Sequence, residues 1–198
     1  MTHGFDKEYW EEHWRLSGAG SPPNPYLARE LGELKPGTAL DAGCGEGAEA
    51  IWLASRGWQV TAADISSAVL ARAAGRAGSE HVRWVEADLG SWAPETRFDL
   101  VTTHYAHPAM PQLEFYDRIA GWVAPGGTLL IVGHLHTRHG HGHGHHSPAE
   151  ASVTAAAVAA RLDETAWEVV TAEECRRIHG DRQVPLEDVV VCATRRPY

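Results

Sequence analysis

Between residues 38 and 133 the chain alternates short apolar runs with helical stretches of about ten residues, and this alternation limits its fold more than any other feature. Parallel strands need long crossover connections, which helices usually provide. The pattern therefore predicts an α/β fold in which a mostly parallel sheet carries helices on both faces. The predicted strands are 38–41, 58–63, 82–87, 98–103 and 128–133, and the helices between them are 46–56, 66–76 and 112–123.

Both ends of the chain add elements to this core. The β-rich runs 167–171 and 188–194 are expected to pair as an antiparallel edge, which completes a seven-stranded sheet. Helices are predicted at 6–16 and 24–34, the second with Asn24 as its N-cap. A length of 198 residues fits a single domain. Its predicted segments are the N-terminal helices (1–35), the core (36–134), a loop rich in histidine and glycine (135–147), and a C-terminal helix with strands (148–198).

Charge and composition narrow the classes of partner. A net charge of -9 at pH 7 disfavours nucleic acid, because such binding gains most of its affinity from Lys and Arg. The longest apolar runs are too short to cross a bilayer, so no membrane partner is expected. The N-terminus shows neither a basic leader nor an apolar stretch, which predicts a cytoplasmic protein. Three cysteines without C-x-x-C spacing give no sign of a disulfide framework.

The motif that carries chemistry is a glycine turn at residues 40–47, Leu-Asp-Ala-Gly-Cys-Gly-Glu-Gly, where the first strand meets its helix. Glycines let the backbone bend sharply and approach a ligand closely. Asp64 follows Gly43 by 21 residues and ends the second strand, where a carboxylate commonly binds ribose hydroxyls. Asp41 would repel a pyrophosphate but attract the amino group of a methionine moiety. Together these features predict a cationic ligand of the nucleoside type.

From this turn onward the chain resembles the class I S-adenosylmethionine-dependent methyltransferases, which have a Rossmann-like sheet. The matching motifs occur in the expected order at 40–47, 60–66, 86–89, 98–101 and 125–130. The resemblance implies S-adenosyl-L-methionine as the cofactor, and it implies a binding role for each residue that matches a motif. Asp41, Gly43 and Gly45 would surround the methionine end of the cofactor, and Asp64 would bind its ribose. Ile65 would cover one face of the adenine, and Asp88 and Leu89 would contact the edge of the adenine.

The alternative interpretation of these motifs is structural. The glycines would then only close a tight turn, and Asp64 would only cap the helix that begins near Ser66. Methyl transfer from a sulfonium is an in-line displacement, in which much of the catalysis is positioning. A thiolate, selenide or halide acceptor needs no proton acceptor, whereas a phenol or an amine needs one nearby.

Candidates for catalysis follow the fourth strand. His104, Tyr105 and His107 lie where the carboxyl ends of parallel strands form the ligand crevice. His104 is also a candidate contact of the cofactor, and the alternative for His107 is that it only begins the turn before Pro108.

The first helix carries aromatic side chains on one face, with Trp10 and Trp14 one turn apart. This arrangement resembles the lid helix of small-molecule methyltransferases, including the thiopurine and tellurite families, and it makes Trp14 a candidate cofactor contact. The alternative is an aromatic pair that packs the helix onto the sheet.

The histidine-rich loop offers His136, His139, His141, His143 and His145 as candidate ligands for zinc or nickel. Irregular spacing without a fixed cysteine or carboxylate is typical of adventitious binding, and a metal-storing loop is the alternative. His134 differs from these residues because it ends the fifth strand, where it would face the acceptor pocket.

The sequence therefore predicts an S-adenosylmethionine-dependent methyltransferase that acts on a small molecule. A tellurite- or thiol-type detoxifying methyltransferase is one alternative, and a metal-binding protein that uses the histidine-rich loop is another. The sequence does not identify the acceptor, the need for a general base or the oligomeric state.

Overall fold

The computed structural model describes residues 5–16, 20–135, 153–179 and 184–197, which build one seven-stranded sheet with helices on both faces. The strands are β1 (Thr38–Ala42), β2 (Gln59–Asp64), β3 (Val82–Glu86), β4 (Phe98–His104), β5 (Val123–His134), β6 (Trp167–His179) and β7 (Val184–Arg195). Their order across the sheet is β3-β2-β1-β4-β5-β7-β6. Strands β1 to β5 are parallel, and β7 is antiparallel to both of its neighbours. The predicted fold class is confirmed.

The described helices are α1 (Lys7–Leu16), α2 (Pro25–Leu31), α3 (Ala48–Ser55), α4 (Ser67–Ala74), α5 (Gln112–Ala120) and α6 (Ala155–Ala159). Asn24 and Ser66 are the N-cap residues of α2 and α4 and precede the first residue of each helix. The Asn24 side chain accepts a hydrogen bond from the N–H of Tyr26, and the Ser66 side chain accepts one from the N–H of Val69. None of the helices described is long and apolar enough to span a membrane.

Apolar side chains cover the sheet on each face and form two cores. On one face the sheet packs against Phe115 of α5 and Val158 of α6. On the other face it packs against Leu27 of α2 and Leu53 of α3. The strands between these layers are buried on both sides, which explains why they are apolar almost throughout.

The carboxyl ends of the parallel strands meet at one edge of the sheet. Because β7 runs antiparallel to β5, its beginning lies at that same edge, where Asp188 pairs with His134. The end of β6 also lies there, since Cys175 pairs with Asp188. Side chains from the C-terminal hairpin are therefore placed beside the crevice that the parallel strands form.

Strand β5 begins earlier than predicted. The sequence predicts a strand at 128–133, but the strand in the structure is Val123–His134 and includes Pro125, Gly126 and Gly127. Val123 pairs with Phe98, and the register then shifts before the next paired residues. Gly126 has a φ of +78°, so it gives the strand a local irregularity rather than an end.

Strands β6 and β7 are longer than the predicted runs 167–171 and 188–194. Polar residues such as Glu173 and Arg176 indicate a loop by composition alone, yet they pair with β7 through backbone hydrogen bonds. Because β6 is an edge strand, these charged side chains face solvent and do not interrupt the strand. The predicted antiparallel pairing of the two strands is confirmed.

Candidate active site

The glycine turn has a left-handed backbone at each of its glycines. The φ angles of Gly43, Gly45 and Gly47 are 79°, 49° and 73°. Other residues rarely adopt such angles, so glycine is needed here for backbone reasons alone. The N–H of Gly43 donates to the carbonyl oxygen of Ala63 at 2.8 Å, which joins the turn to the end of β2.

The loop after β4 lies directly against this turn. A Cβ atom at Gly43 would overlap the Cβ of Ala106, so the two segments can approach only because Gly43 has no side chain. This contact places His104, Tyr105 and His107 next to the turn that is expected to hold the cofactor.

The carboxylate of Asp64 spans the turn and the start of α4. Its Oδ2 accepts from the N–H of Gly45 at 2.9 Å, and its Oδ1 accepts from the N–H of Ser66 at 3.0 Å. Burial raises the pKa of Asp64, which is 7% exposed. Each carboxylate oxygen has two acceptor positions, so each keeps one position for a ligand. Support of the turn and binding of a ligand are therefore compatible roles.

Asp41 is a buried acid whose hydrogen bonding is incomplete. It is 1% exposed, and its Oδ2 has no hydrogen-bond partner in the part of the chain that the structure describes. Burial raises the pKa of Asp41 well above its usual range, and the nearby Glu49 and Asp64 raise it further. A buried carboxylate among other acids is costly unless a cation or a hydrogen-bond donor joins it. The position therefore suits a positively charged ligand group.

A cleft of about 340 Å³ opens beside the end of β3, and two predicted adenine contacts line it. Ile65 and Asp88 lie in this cleft together with Asp6, Lys7, Glu86, Ala87 and Ala109. Leu89, the third predicted contact, is 6% exposed and is not among the residues that line this cleft, but its Cδ1 lies 3.9 Å from the position that a Cβ at Gly43 would take.

Helix α1 lies across the carboxyl edge of the sheet. The ring of Trp14 covers Gly45, 3.0 Å from the position that a Cβ would take. Trp10 donates from Nε1 to the carbonyl oxygen of His107 at 3.2 Å. Arg72 of α4 holds the end of the helix by donating to the carbonyl oxygen of Trp14 at 2.6 Å. One helix therefore covers both the glycine turn and the loop after β4.

Tyr105 is the one non-glycine residue of the described chain with a positive φ, at 56°. Its hydroxyl donates to Oδ1 of Asp188 at 2.8 Å and accepts from Nη2 of Arg177 at 2.8 Å and from Nδ2 of Asn24 at 3.3 Å. Burial raises the pKa of this phenol. The hydroxyl is therefore neutral, and its hydrogen-bonding positions are occupied. Tyr105 is thus better suited to supporting the loop than to acting as a general base.

Sequence reasoning missed Asp188 and Arg177. Asp188 is fully buried at the start of β7, pairs with Nε of Arg177 at 2.6 Å and also accepts from the hydroxyl of Tyr26 at 3.2 Å. A single signal was available, namely an acid directly before the run Val189 to Val191. A charged side chain in an otherwise apolar strand is buried only when it is paired, and its partners here come from distant segments.

Three histidine side chains come from the ends of β4 and β5 and from the loop after β4. Nε2 of His104 lies 2.8 Å from Oγ1 of Thr102, and Nδ1 of His107 lies 3.0 Å from Oε1 of Gln112. His134 stacks on Tyr105 with ring centroids 4.4 Å apart and lies 5.6 Å from the His107 ring. Burial lowers the pKa of each histidine, in His134 to about 4. All three rings are therefore neutral near pH 7.

The proposed metal ligands His136, His139, His141, His143 and His145 lie outside the described residues. Within the residues that are described, no cluster of three or more histidine, cysteine or acidic side chains could hold a metal ion. Zinc or nickel binding by the loop stays a prediction.

Comparison with known proteins agrees with this geometry. A family model described as a methyltransferase domain matches residues 39–127. An uncharacterized methyltransferase of Mycobacterium tuberculosis is 41% identical over 95 residues, which cover 47% of this chain and 48% of that protein. A trans-aconitate 2-methyltransferase of Streptomyces coelicolor is 32% identical over 136 residues, 62% of this chain and 44% of that protein. The chain thus spans about half the length of the curated relatives it matches.

Among solved structures, the N-methyltransferase NodS from Bradyrhizobium japonicum, in complex with S-adenosylhomocysteine, shares the fold. The TM-score is 0.65 at 18% identity, over 95% of this chain and 98% of that chain. Residues 39–127 thus match a methyltransferase domain, and they lie within a fold that the chain shares with this S-adenosylhomocysteine-binding enzyme. The resemblance inferred from the ordered motifs is confirmed.

The contact between Gly43 and Ala106 predicts a difference between two alanine substitutions. Gly43 and Gly126 have nearly equal φ angles of 79° and 78°, but no atom of the described structure lies within 4 Å of a Cβ at Gly126. Gly126→Ala should cost about 1 kcal/mol, from backbone strain alone. Gly43→Ala should cost about 1–3 kcal/mol more, because it also overlaps Ala106. Urea unfolding of the two variants measures the difference.

The double variant Gly43→Ala/Ala106→Gly is the control, and it should recover most of the additional loss. Equal losses in the two single variants would show that close approach of the loop does not constrain the turn.

A second prediction concerns Asp41. Because its pKa is raised, the folded protein holds this proton more tightly than the unfolded chain does. The wild-type protein should therefore lose unfolding free energy as pH rises above about 4, the ordinary aspartate range, toward the raised pKa. Asp41→Asn should remove that part of the pH dependence and be more stable than wild type at neutral pH. Urea unfolding without ligand across this range tests the prediction, and parallel pH curves would contradict it.

Proposed function

We propose that this chain binds S-adenosyl-L-methionine at the carboxyl edge of its sheet and transfers the methyl group to a small-molecule acceptor. The observation that carries the proposal is the Asp41 carboxylate, which is buried beside the glycine turn and has one oxygen that no described residue hydrogen-bonds. A protein gains nothing in stability from such a group, so a ligand with a cationic or hydrogen-bond-donating part is its best explanation.

The other residues at this edge fit the rest of the cofactor. Asp64 keeps one acceptor position on each oxygen, which suits the two hydroxyls of a ribose. Ile65 and Asp88 line the same cleft, where an apolar side chain and a carboxylate suit the face and the amino edge of an adenine. The left-handed glycines let the ligand approach the backbone without meeting a Cβ.

When bound, the cofactor would supply an electrophilic methyl group on a positively charged sulfur. The buried Asp41 and Asp64 and the half-buried Glu49 give this end of the site an acidic character that favours such a charge. Asp41 would orient the methionine end of the cofactor. The contact between Ala106 and Gly43 would set the distance between that end and an acceptor bound beside the loop after β4.

The acceptor would lie beside the loop after β4, where His104, Tyr105 and His107 adjoin the turn. The rings of Phe5 and His134 lie on the His107 ring and Trp10 donates to the His107 carbonyl oxygen, so this region is rich in aromatic side chains. Helix α1 would act as the lid, because Trp14 covers the glycine turn while Trp10 covers the acceptor side. Closure would exclude water from both reactants.

The proposal is tested by titrating the protein with S-adenosylhomocysteine in a calorimeter. The wild-type protein should bind it, and Asp64→Asn should weaken binding about tenfold to a hundredfold, because hydrogen bonds to a charged group contribute about 1.5–3 kcal/mol. The matched control is Asp99→Asn at the opposite edge of the sheet. Asp99 also accepts two hydrogen bonds, from the N–H of Thr38 at 2.8 Å and from its hydroxyl at 2.9 Å.

The control variant should bind the nucleoside as wild type does, although it loses a comparable local interaction. Absence of heat with the wild-type protein would refute the proposed cofactor. An equal effect of Asp64→Asn and Asp99→Asn would remove Asp64 from the binding site.

A further inference from the structure

The orientation of the Gln112 side chain is determined by a backbone carbonyl. Gln112 is 4% exposed, and its Nε2 donates to the carbonyl oxygen of Ala106 at 3.0 Å. A carbonyl oxygen can only accept, so the opposite amide orientation would bring two acceptors face to face. The Oε1 atom of Gln112 is therefore the one that faces His107.

This orientation determines where His107 carries its proton. Nδ1 of His107 lies 3.0 Å from Oε1 of Gln112, an atom that only accepts hydrogen bonds. Nδ1 must therefore carry the hydrogen, and in the neutral ring Nε2 then has a free lone pair. Nε2 is buried and has no hydrogen-bond partner among the residues with described positions.

The surroundings of the ring favour its neutral form. His107 is 6% exposed and lies between Phe5, at 5.6 Å between ring centroids, and His134, also at 5.6 Å. His134 is the titratable group that faces it, and it is itself neutral near pH 7. A lone pair enclosed in this way remains unsatisfied until a hydrogen-bond donor enters the site.

From this geometry we propose that Nε2 of His107 is the proton acceptor of the methyl transfer, and that the methyl acceptor is a neutral, protic nucleophile such as a thiol, a phenol or an amine. The inference rests on the proposed function and narrows its acceptor class. The substrate's own X–H group is the donor that the free lone pair lacks.

The step balances in atoms and charge. The nucleophile X forms a bond to the methyl carbon, the carbon–sulfur bond breaks with its electron pair left on sulfur, and the proton of X–H moves to Nε2 of His107. One positive charge leaves the sulfonium and one appears on the imidazolium, so the enclosed site keeps its net charge. The protonated ring remains held through Nδ1–H and Oε1 of Gln112.

An acceptor that is already anionic fits this site less well. A halide or a carboxylate brings no hydrogen for Nε2, and its charge would face a lone pair in a region without bulk water. Tyr105 offers no alternative base, since its hydroxyl is engaged by Asp188, Arg177 and Asn24. Gln112 is a positioning residue, because it acts on the reaction only through His107.

The tautomer can be measured without any acceptor. In protein labelled with nitrogen-15 at histidine and saturated with S-adenosylhomocysteine, nuclear magnetic resonance should show His107 protonated at Nδ1 and bare at Nε2. The His107→Asn variant identifies the signal by its loss. Gln112→Leu removes the acceptor at Nδ1 and should shift the ring toward the Nε2–H form, while Gln59→Leu, at an exposed glutamine, should leave it unchanged.

Kinetics with chosen probes tests the acceptor class. An aliphatic thiol, phenol and a primary amine are the protic probes, and iodide and trans-aconitate are the anionic ones. Methylation of at least one protic probe should exceed that of either anion by tenfold or more. His107→Asn should lower kcat for that probe about a hundredfold, and added imidazole should restore part of it, while the Kd for S-adenosylhomocysteine stays within about twofold of wild type.

The outcomes separate the two proposals. If wild type does not bind S-adenosylhomocysteine, the proposed function fails, whatever the tautomer. If it binds but His107 is protonated at Nε2, the assignment of the base is overturned. Methylation of iodide or trans-aconitate at the rate of the protic probes, with no effect of His107→Asn, would overturn it equally. If no probe is methylated, the measured tautomer alone decides for or against the base.

Discussion

The close approach of Ala106 to Gly43 is the contact on which the organisation of the site depends. It brings the loop after β4 onto the turn after β1, so that the residues expected to hold a methyl donor adjoin those expected to hold its acceptor. The Asp64 carboxylate then supports the turn from β2 through the N–H of Gly45. Any side chain at residue 43 would push the two segments apart. The distance between the residues expected to hold the donor and those expected to hold the acceptor would then change.

The same edge of the sheet contains groups that reduce stability. Asp41 is a buried acid near other acids, and Tyr105 has a backbone conformation that residues with a side chain rarely adopt. Tyr105 is held by the ion pair of the buried Asp188 with the half-buried Arg177. Uncompensated charge and backbone strain occur together where a ligand is expected, which is typical of functional sites.

Local sequence patterns predicted most of the fold and the position of the glycine turn at the end of β1. The alternation of strands and helices from β1 to β5 can be recognised from short stretches of sequence. Gly43 and Asp64 are separated in the chain by helix α3 and strand β2 alone, so their spacing is also a local feature. The Asp188 cluster was not predictable in this way, because Tyr105 and Asp188 are brought together only when β7 pairs with β5. Leu89 follows the expected motif, and its side chain packs into the core beside Gly43, so its contact with a cofactor stays a prediction.

Helix α1 covers Gly45 with Trp14 and the carbonyl of His107 with Trp10, so a single element covers the places proposed for both reactants. With both compounds bound there, neither would be exchanged while the other stayed enclosed beneath the same helix. A spent nucleoside and a methylated product would therefore leave through one opening event. If this opening is slower than the chemical step, the release of the two products limits kcat.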